Sequence, residues 1–287
     1  MGSTRQKALL EIHSAVFLFG LAGLFGKWLT FSPLIIVFGR VCFACAALAV
    51  FIFLSQRKFS ISPNSSYAIL FFLGLLLATH WIAFFQSIQV STVAVGLLSY
   101  STFPIFTVFL EPLFFKKRIE IQNVFYASLC LLGIFFIIPR FDLQHSVFQG
   151  VLWGVLSGLT FSVLTILNRK LSQEYSSLLI AFYEDISASV FLFPFLFIVK
   201  YSIGSKDVFL LFILGVLCTA CSHTLFIKGI KYVEAQKASI ISSLEPVYGI
   251  ILAFIFLQEI PSLRTILGGI IIIGSALKIT LKKEIIN

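Results

Sequence analysis

The chain has 287 residues, 59% of them hydrophobic and only 11% charged, with a mean hydropathy of +1.04. That composition excludes a soluble globular domain; the 34 phenylalanines, dispersed over many apolar runs, fit a polytopic helical membrane protein whose helices each need about 20 apolar residues. The net charge of +9 is not that of a nucleic-acid-binding protein, because no solvent-facing basic stretch is long enough to form such a domain.

Taken in order, the apolar runs predict ten spans: 8–29, 33–54, 66–87, 92–115, 121–139, 148–168, 178–199, 207–228, 235–257 and 262–281. Arg5 and Lys7 ahead of the first run resemble a signal peptide. The run lacks a small-x-small cleavage site and has a counterpart in the second half, so it reads as a retained helix. Links are short and marked by Ser32-Pro33, Ser62-Pro63-Asn64 and Pro261-Ser262. All five cysteines fall inside predicted spans, which implies no disulfide framework. The pairs Cys42-x-x-Cys45 and Cys218-x-x-Cys221 have zinc-like spacing, but each lies on one apolar helix without loop-borne partners, so no metal is expected. No P-loop, GxSxG or HExxH is present, and no cofactor is implied.

With the N-terminus inside and the spans alternating, 15 of the 21 basic residues collect at inner ends, among them Arg57-Lys58, Lys116 to Arg118, Arg169-Lys170 and Lys282-Lys283. Only Lys27, Arg140, Lys200, Lys206 and Arg264 fall outside, and Arg40 lies within a span. Basic residues favour the cytoplasmic side, so the bias predicts a multi-pass inner-membrane protein with both termini cytoplasmic.

The chain also repeats. A shift of 142 residues lays 84–104 onto 226–246, matching Phe84 with Phe226, Ile88 with Ile230 and Pro104 with Pro246. This divides the chain into halves 1–140 and 141–287, each with five spans. An odd number forces opposite insertion, so the expected fold is all-α, with ten transmembrane helices as two inverted five-helix repeats. The paired proline-bearing helices then mark the substrate region. A proline inside a helix leaves the i−4 carbonyl without its donor and kinks the helix. Those carbonyls belong to Tyr100 and Ser242.

Ionisable and polar residues in these spans are the candidate site. Glu245, beside Pro246, is either a substrate- or proton-binding carboxylate or a packing residue held by a neighbouring helix. A carboxylate that exchanges its proton between two conformations would couple proton and substrate movement. Tyr248 shares its helical face. Tyr100, flanked by Ser99 and Ser101, either lines a cavity or satisfies broken backbone. His80-Trp81 and His223 are binding or proton-relay candidates, with core histidines the alternative. Arg40 is expected to pair with Glu184 or Asp185, although it lies roughly 10 Å from one face and Glu184 a similar depth from the other. Glu111 is expected to form an ion pair near Lys116 to Arg118, and Glu11 to reach water at the inner face. Gly20, Gly23, Gly26, Gly268 and Gly269 suit close helix packing.

The run Leu244-Glu245-Pro246-Val247, followed by Glu259, Gly268-Gly269 and Gly274, resembles the second repeat of the EamA-type members of the drug/metabolite transporter superfamily. The resemblance covers almost the whole chain. Arg40 is similar to an arginine often found there, whereas Lys117 departs from the acid usual at the matching first-half position. The resemblance implies a non-enzymatic carrier, secondary-active or facilitative, moving a small polar metabolite such as an amino acid by alternating access, more often outward. An exchanger of anionic metabolites such as nucleotide sugars or sugar phosphates is the alternative within transport. An integral-membrane enzyme is the alternative outside it. Expected partners are a small-molecule substrate and the lipid bilayer, not nucleic acid, with a coupled proton and a second copy of the chain as further candidates.

Overall fold

The computed structural model describes residues 2–56, 60–61, 65–115, 121–199, 202–233, 238 and 241–281. Every regular element among them is helical. In chain order these are α1 (Gly2–Trp28), α2 (Pro33–Leu54), α3 (Ser65–Val90), α4 (Val93–Tyr100), α5 (Phe103–Phe115), α6 (Ile121–Ile137), α7 (Ser146–Leu171) and α8 (Ser177–Leu192). They continue with α9 (Ser205–Gly215), α10 (Ser222–Ile230), α11 (Glu245–Leu257) and α12 (Leu263–Leu281). The link Ser62-Pro63-Asn64 and the basic residues Arg57, Lys58, Lys116 to Arg118, Lys200, Lys237, Lys282 and Lys283 lie outside the described residues.

Local chemistry sets the ends. Pro33 opens α2 where its missing N–H costs nothing. Thr92 caps α4 by accepting from the Val95 N–H at 3.1 Å, and Ser176 caps α8 through the Leu179 N–H. Arg169 and Lys170 stand in the last turn of α7, where cations suit the helix dipole. Gln258, at φ 55°, ends α11 in the left-handed region.

The two proline helices correct the sequence expectation of kinked spans. Both are broken. α4 stops at Tyr100, a turn takes Ser101 and Thr102, and α5 starts at Phe103 with Pro104 second. Likewise a turn takes Ser243 and Leu244, and α11 starts at Glu245 with Pro246 second. At a second helical position proline forfeits no intrahelical bond, so the chain ends one helix and begins another rather than bending through. The segment 207–228 is also irregular: a π-helical turn, Val216–Cys221, joins α9 to α10. Past α8, Pro194 sits in a 3₁₀ turn, Phe193–Phe197.

Among the described residues, seven helical segments are long and apolar enough to cross a membrane, counting α4–α5 and α9–α10 as one each, and three shorter apolar helices lie at 124–137, 245–257 and 263–275. Their packing surrounds α3, which lies along α7 and α8, while α1 lies along α10 and α11 and α6 along α12. Polar side chains such as Arg40, His80, Glu184, Asp185 and Glu245 are buried, while Phe53, Phe71, Phe125, Phe135 and Ile251 are exposed on the outside. A polar interior inside an apolar rim is the pattern of a chain whose outer solvent is lipid.

Candidate functional site

The helix break before α11 places Glu245 at the first position of that helix, deep in the bundle. The break after α4 places Tyr100 opposite, on the wall of the same cavity as Glu245. The carboxylate oxygen Oε2 of Glu245 is buried and has no partner among the described residues. Backbones come close enough to hold both breaks: a Cβ added at Gly158 of α7 would sit 2.7 Å from the Tyr100 carbonyl oxygen, and one at Gly20 of α1 3.0 Å from that of Glu245.

α3 supplies the facing wall, because His80, Trp81 and Phe84 fall on one side of it within a turn. His80 Nδ1 lies 3.0 Å from the Ser157 carbonyl oxygen, to which a proton on that nitrogen donates, and 2.9 Å from the Ser157 hydroxyl. Its ring stands 5.6 Å from Tyr100 and 5.2 Å from Phe161. Trp81 carries the guanidinium of Arg40, centred 3.8 Å from the indole.

Arg40 does not pair with Glu184, contrary to the sequence expectation. Its Nε donates to Thr219 Oγ1 at 2.9 Å and its Nη2 to the Cys218 carbonyl at 3.0 Å. Both acceptors belong to the π turn, whose wider winding frees a carbonyl for an outside donor. Thr219 in turn donates to the Leu214 carbonyl at 2.8 Å. Gly39 and Gly215 allow the approach, since a Cβ at Gly215 would meet the Arg40 carbonyl oxygen at 2.7 Å. Glu184 is instead held by His223, Nε2 to Oε2 at 2.7 Å. The Asn168 amide donates to the same oxygen at 3.4 Å.

Arg40, His80, Trp81, Tyr100, His223 and Glu245 therefore line one central cavity, with Phe19, Phe84 and Phe161 as aromatic walls. Its free space is about 20 Å³, the room of a single water, which needs about 10–15 Å³. That is too little room for a metabolite. Two expected residues lie elsewhere. Tyr248 packs edge-on against Phe17 at 5.6 Å, and Ser99 is fully buried against the Gly154 position of α7. Phe19, Phe161 and Thr219 carry no sequence signal of their own: the first two are lost among the 34 phenylalanines, and the third depends on a π turn that the sequence pattern does not mark. Among the described residues no three His, Cys, Asp or Glu side chains converge as metal ligands.

Charged side chains tie the two ends of the bundle. At one, Arg169 meets Glu111 at 3.0 Å and Lys228 meets Glu11 at 2.6 Å. At the other, both oxygens of Glu259 accept the α4 N-terminal N–H groups of Val93 and Ala94 at 3.1 Å, and Lys27 Nζ donates to the Ser91 carbonyl at 2.7 Å. Lys117, the first-half counterpart of Glu259, lies outside the described residues.

The chain is similar to an uncharacterized transporter, YxxF, of Bacillus subtilis, with 23% identity over 98% of this chain and 92% of that one. It is 25% identical to an uncharacterized inner membrane transporter, YicL, of Salmonella typhimurium over 98% of this chain and 97% of that one. An S-adenosylmethionine uptake transporter of Rickettsia prowazekii is 24% identical over 71% of this chain and 68% of that one. A solved crystal structure shares the fold with a TM-score of 0.70 at 16% identity, covering 95% of this chain and 96% of that one. The profile of one transporter family matches twice, over residues 6–138 and 148–281, so that nearly every element described above falls within a match. The protein is a multi-span membrane transporter that belongs to the EamA-like transporter family.

Proposed function

We propose that the protein is a secondary-active or facilitative carrier of a small, dipolar metabolite of the amino-acid type, working by alternating access around the central cavity. The observation that carries this reading is the pairing of a buried guanidinium, Arg40, and a buried carboxylate, Glu245, on the walls of one aromatic-lined cavity. Arg40 suits a substrate carboxylate, and Glu245 with the surrounding rings suits an ammonium or other cation. The Rickettsia relative, named for S-adenosylmethionine, supports a substrate that carries an amino-acid head. An exchanger of purely anionic metabolites is the weaker reading, because among the described residues Arg40 alone of the arginines lines the cavity, and Glu245 shares it.

The architecture behind the proposal is ten crossings in two inverted five-helix repeats. The two family matches and the equivalent breaks before Pro104 and Pro246 support it. So does the tally of seven long and three shorter apolar helices. In inverted-repeat carriers the half-helix ends meet substrate near mid-membrane, and rocking of one repeat against the other opens the site alternately. A cavity of about 20 Å³ is too small for such a metabolite, so the rocking must also widen it. The membrane would be an inner membrane, with both termini cytoplasmic.

Reconstitution tests this. Proteoliposomes preloaded with an unlabelled amino acid should accelerate entry of its label by counterflow, and Arg40→Gln should abolish counterflow of amino acids while the protein still inserts. Consumption of substrate without counterflow, or equal counterflow by Arg40→Gln, would overturn the reading.

A further inference from the structure

A second hollow, of about 390 Å³, opens where the end of α2, the start of α8 and the end of α10 meet. It is about twenty times roomier than the central cavity by the same measure. Its walls differ in kind. Phe51, Leu225 and Ile227 form an apolar stretch, and Lys228 and Lys231 stand at the end of α10 beside the hydroxyls of Ser176 and Ser177.

Further features bear on what it holds. Among the described residues no carboxylate lines it; the described acid that reaches one of its lysines is Glu11, 2.6 Å from Lys228 Nζ. The Lys228 side chain is nevertheless 46% exposed, leaving donors for a second anion, and an ammonium carries three. Lys231 Nζ stands 5.9 Å from the Tyr232 ring centre. The 16-residue helix α8 presents its positive end here. Thr224 Oγ1, on the hollow's wall, is buried and without a partner among the described residues.

We propose that this hollow binds the phosphate of an anionic phospholipid between Lys228 and Lys231, with an acyl chain laid over Phe51, Leu225 and Ile227. A lipid fits better than free phosphate because the apolar stretch continues onto the outside of the bundle, where Phe51 and Tyr232 are both more than half exposed. The site is separate from the central cavity and does not depend on what the protein carries.

The test compares the full-length protein in detergent, by thermal unfolding, with added phosphatidylglycerol, phosphatidylcholine of the same chains, or inorganic phosphate. Phosphatidylglycerol should raise the unfolding temperature more than phosphatidylcholine. Its apparent affinity, read from the concentration dependence, should fall about fivefold in Lys231→Gln and about fivefold again in the Lys228→Gln/Lys231→Gln double variant. Lys231→Gln leaves the Lys228–Glu11 pair intact, so a loss there is not a broken ion pair. Equal stabilisation by the two lipids, an unchanged affinity in Lys231→Gln, or the same lysine-dependent shift with inorganic phosphate alone would overturn the assignment.

Discussion

Glu245 is buried in the wall of the central cavity, its Oε2 without a partner among the described residues. A packing role needs only the shape and polarity of the side chain, and a glutamine supplies both. A coupling role needs a group that gains and loses a proton, and glutamine cannot. We therefore expect Glu245→Gln to reach the membrane in normal yield, to lose concentrative uptake, and to keep at least part of its exchange. Glu245→Ala should be worse, because it also leaves a cavity beside the helix break. Wild-type accumulation by Glu245→Gln from acid to neutral pH would make the residue structural. Residues of this kind were legible in the sequence because a charge or a histidine inside an apolar run has few cheap explanations. Their partners were not. Arg40 is matched from the sequence to Glu184 or Asp185, whereas its fork is taken up by the Cys218 carbonyl and the Thr219 hydroxyl of the π turn that leads into α10.

At the scale of elements, Pro104 and Pro246 marked the right positions, but the sequence reading bent the helices where the chain breaks them. Proline removes a donor; whether the helix kinks or restarts is decided by what surrounds the freed carbonyls. At the first break the Ser101 and Thr102 hydroxyls donate to the Leu97 and Ser99 carbonyls, and α7 comes close because residue 158 is glycine. An added Cβ there would lie 2.7 Å from the Tyr100 carbonyl oxygen and 3.2 Å from the Phe103 nitrogen, both backbone atoms that cannot swing away. Gly274 of α12 has no heavy atom within 4 Å of the same construction. The two glycines look alike in sequence and should behave oppositely. Gly158→Ala should destabilise by about 1–3 kcal/mol, the usual range for overpacking. It should also lower transport, because it displaces the turn that presents Tyr100 to Glu245. Gly274→Ala should be neutral or stabilising by about 0.4–1 kcal/mol, since alanine restricts the unfolded chain without strain. Thermal unfolding in detergent, with uptake measured in parallel, checks the pair; equal effects would mean that the α7 crossing does not hold the break.

The whole molecule adds an orientation argument that no single helix contains. Arg169, Lys228 and Lys231 gather at the end of the bundle where Glu111 and Glu11 answer two of them. The opposite end holds Lys27 and the Glu259 cap on α4. Span assignment from hydropathy and the excess of basic residues at one side both point to the first of these ends as cytoplasmic. Single cysteines on a background without the five native ones would locate each end. Ser172, at the end of α7, is a poor probe: it is buried against its own helix end, donating to the Arg169 carbonyl at 2.8 Å, so reagent would miss it for reasons unrelated to topology. Glu174, two residues on, is exposed, as is Phe141 between α6 and α7. In intact cells a membrane-impermeant maleimide should label Phe141→Cys and spare Glu174→Cys until the membrane is opened. α7 alone separates the two positions, so an odd number of crossings must lie between them. Labelling of both from outside would sink the alternating arrangement, and labelling of Glu174→Cys alone would keep the repeats but turn the molecule over.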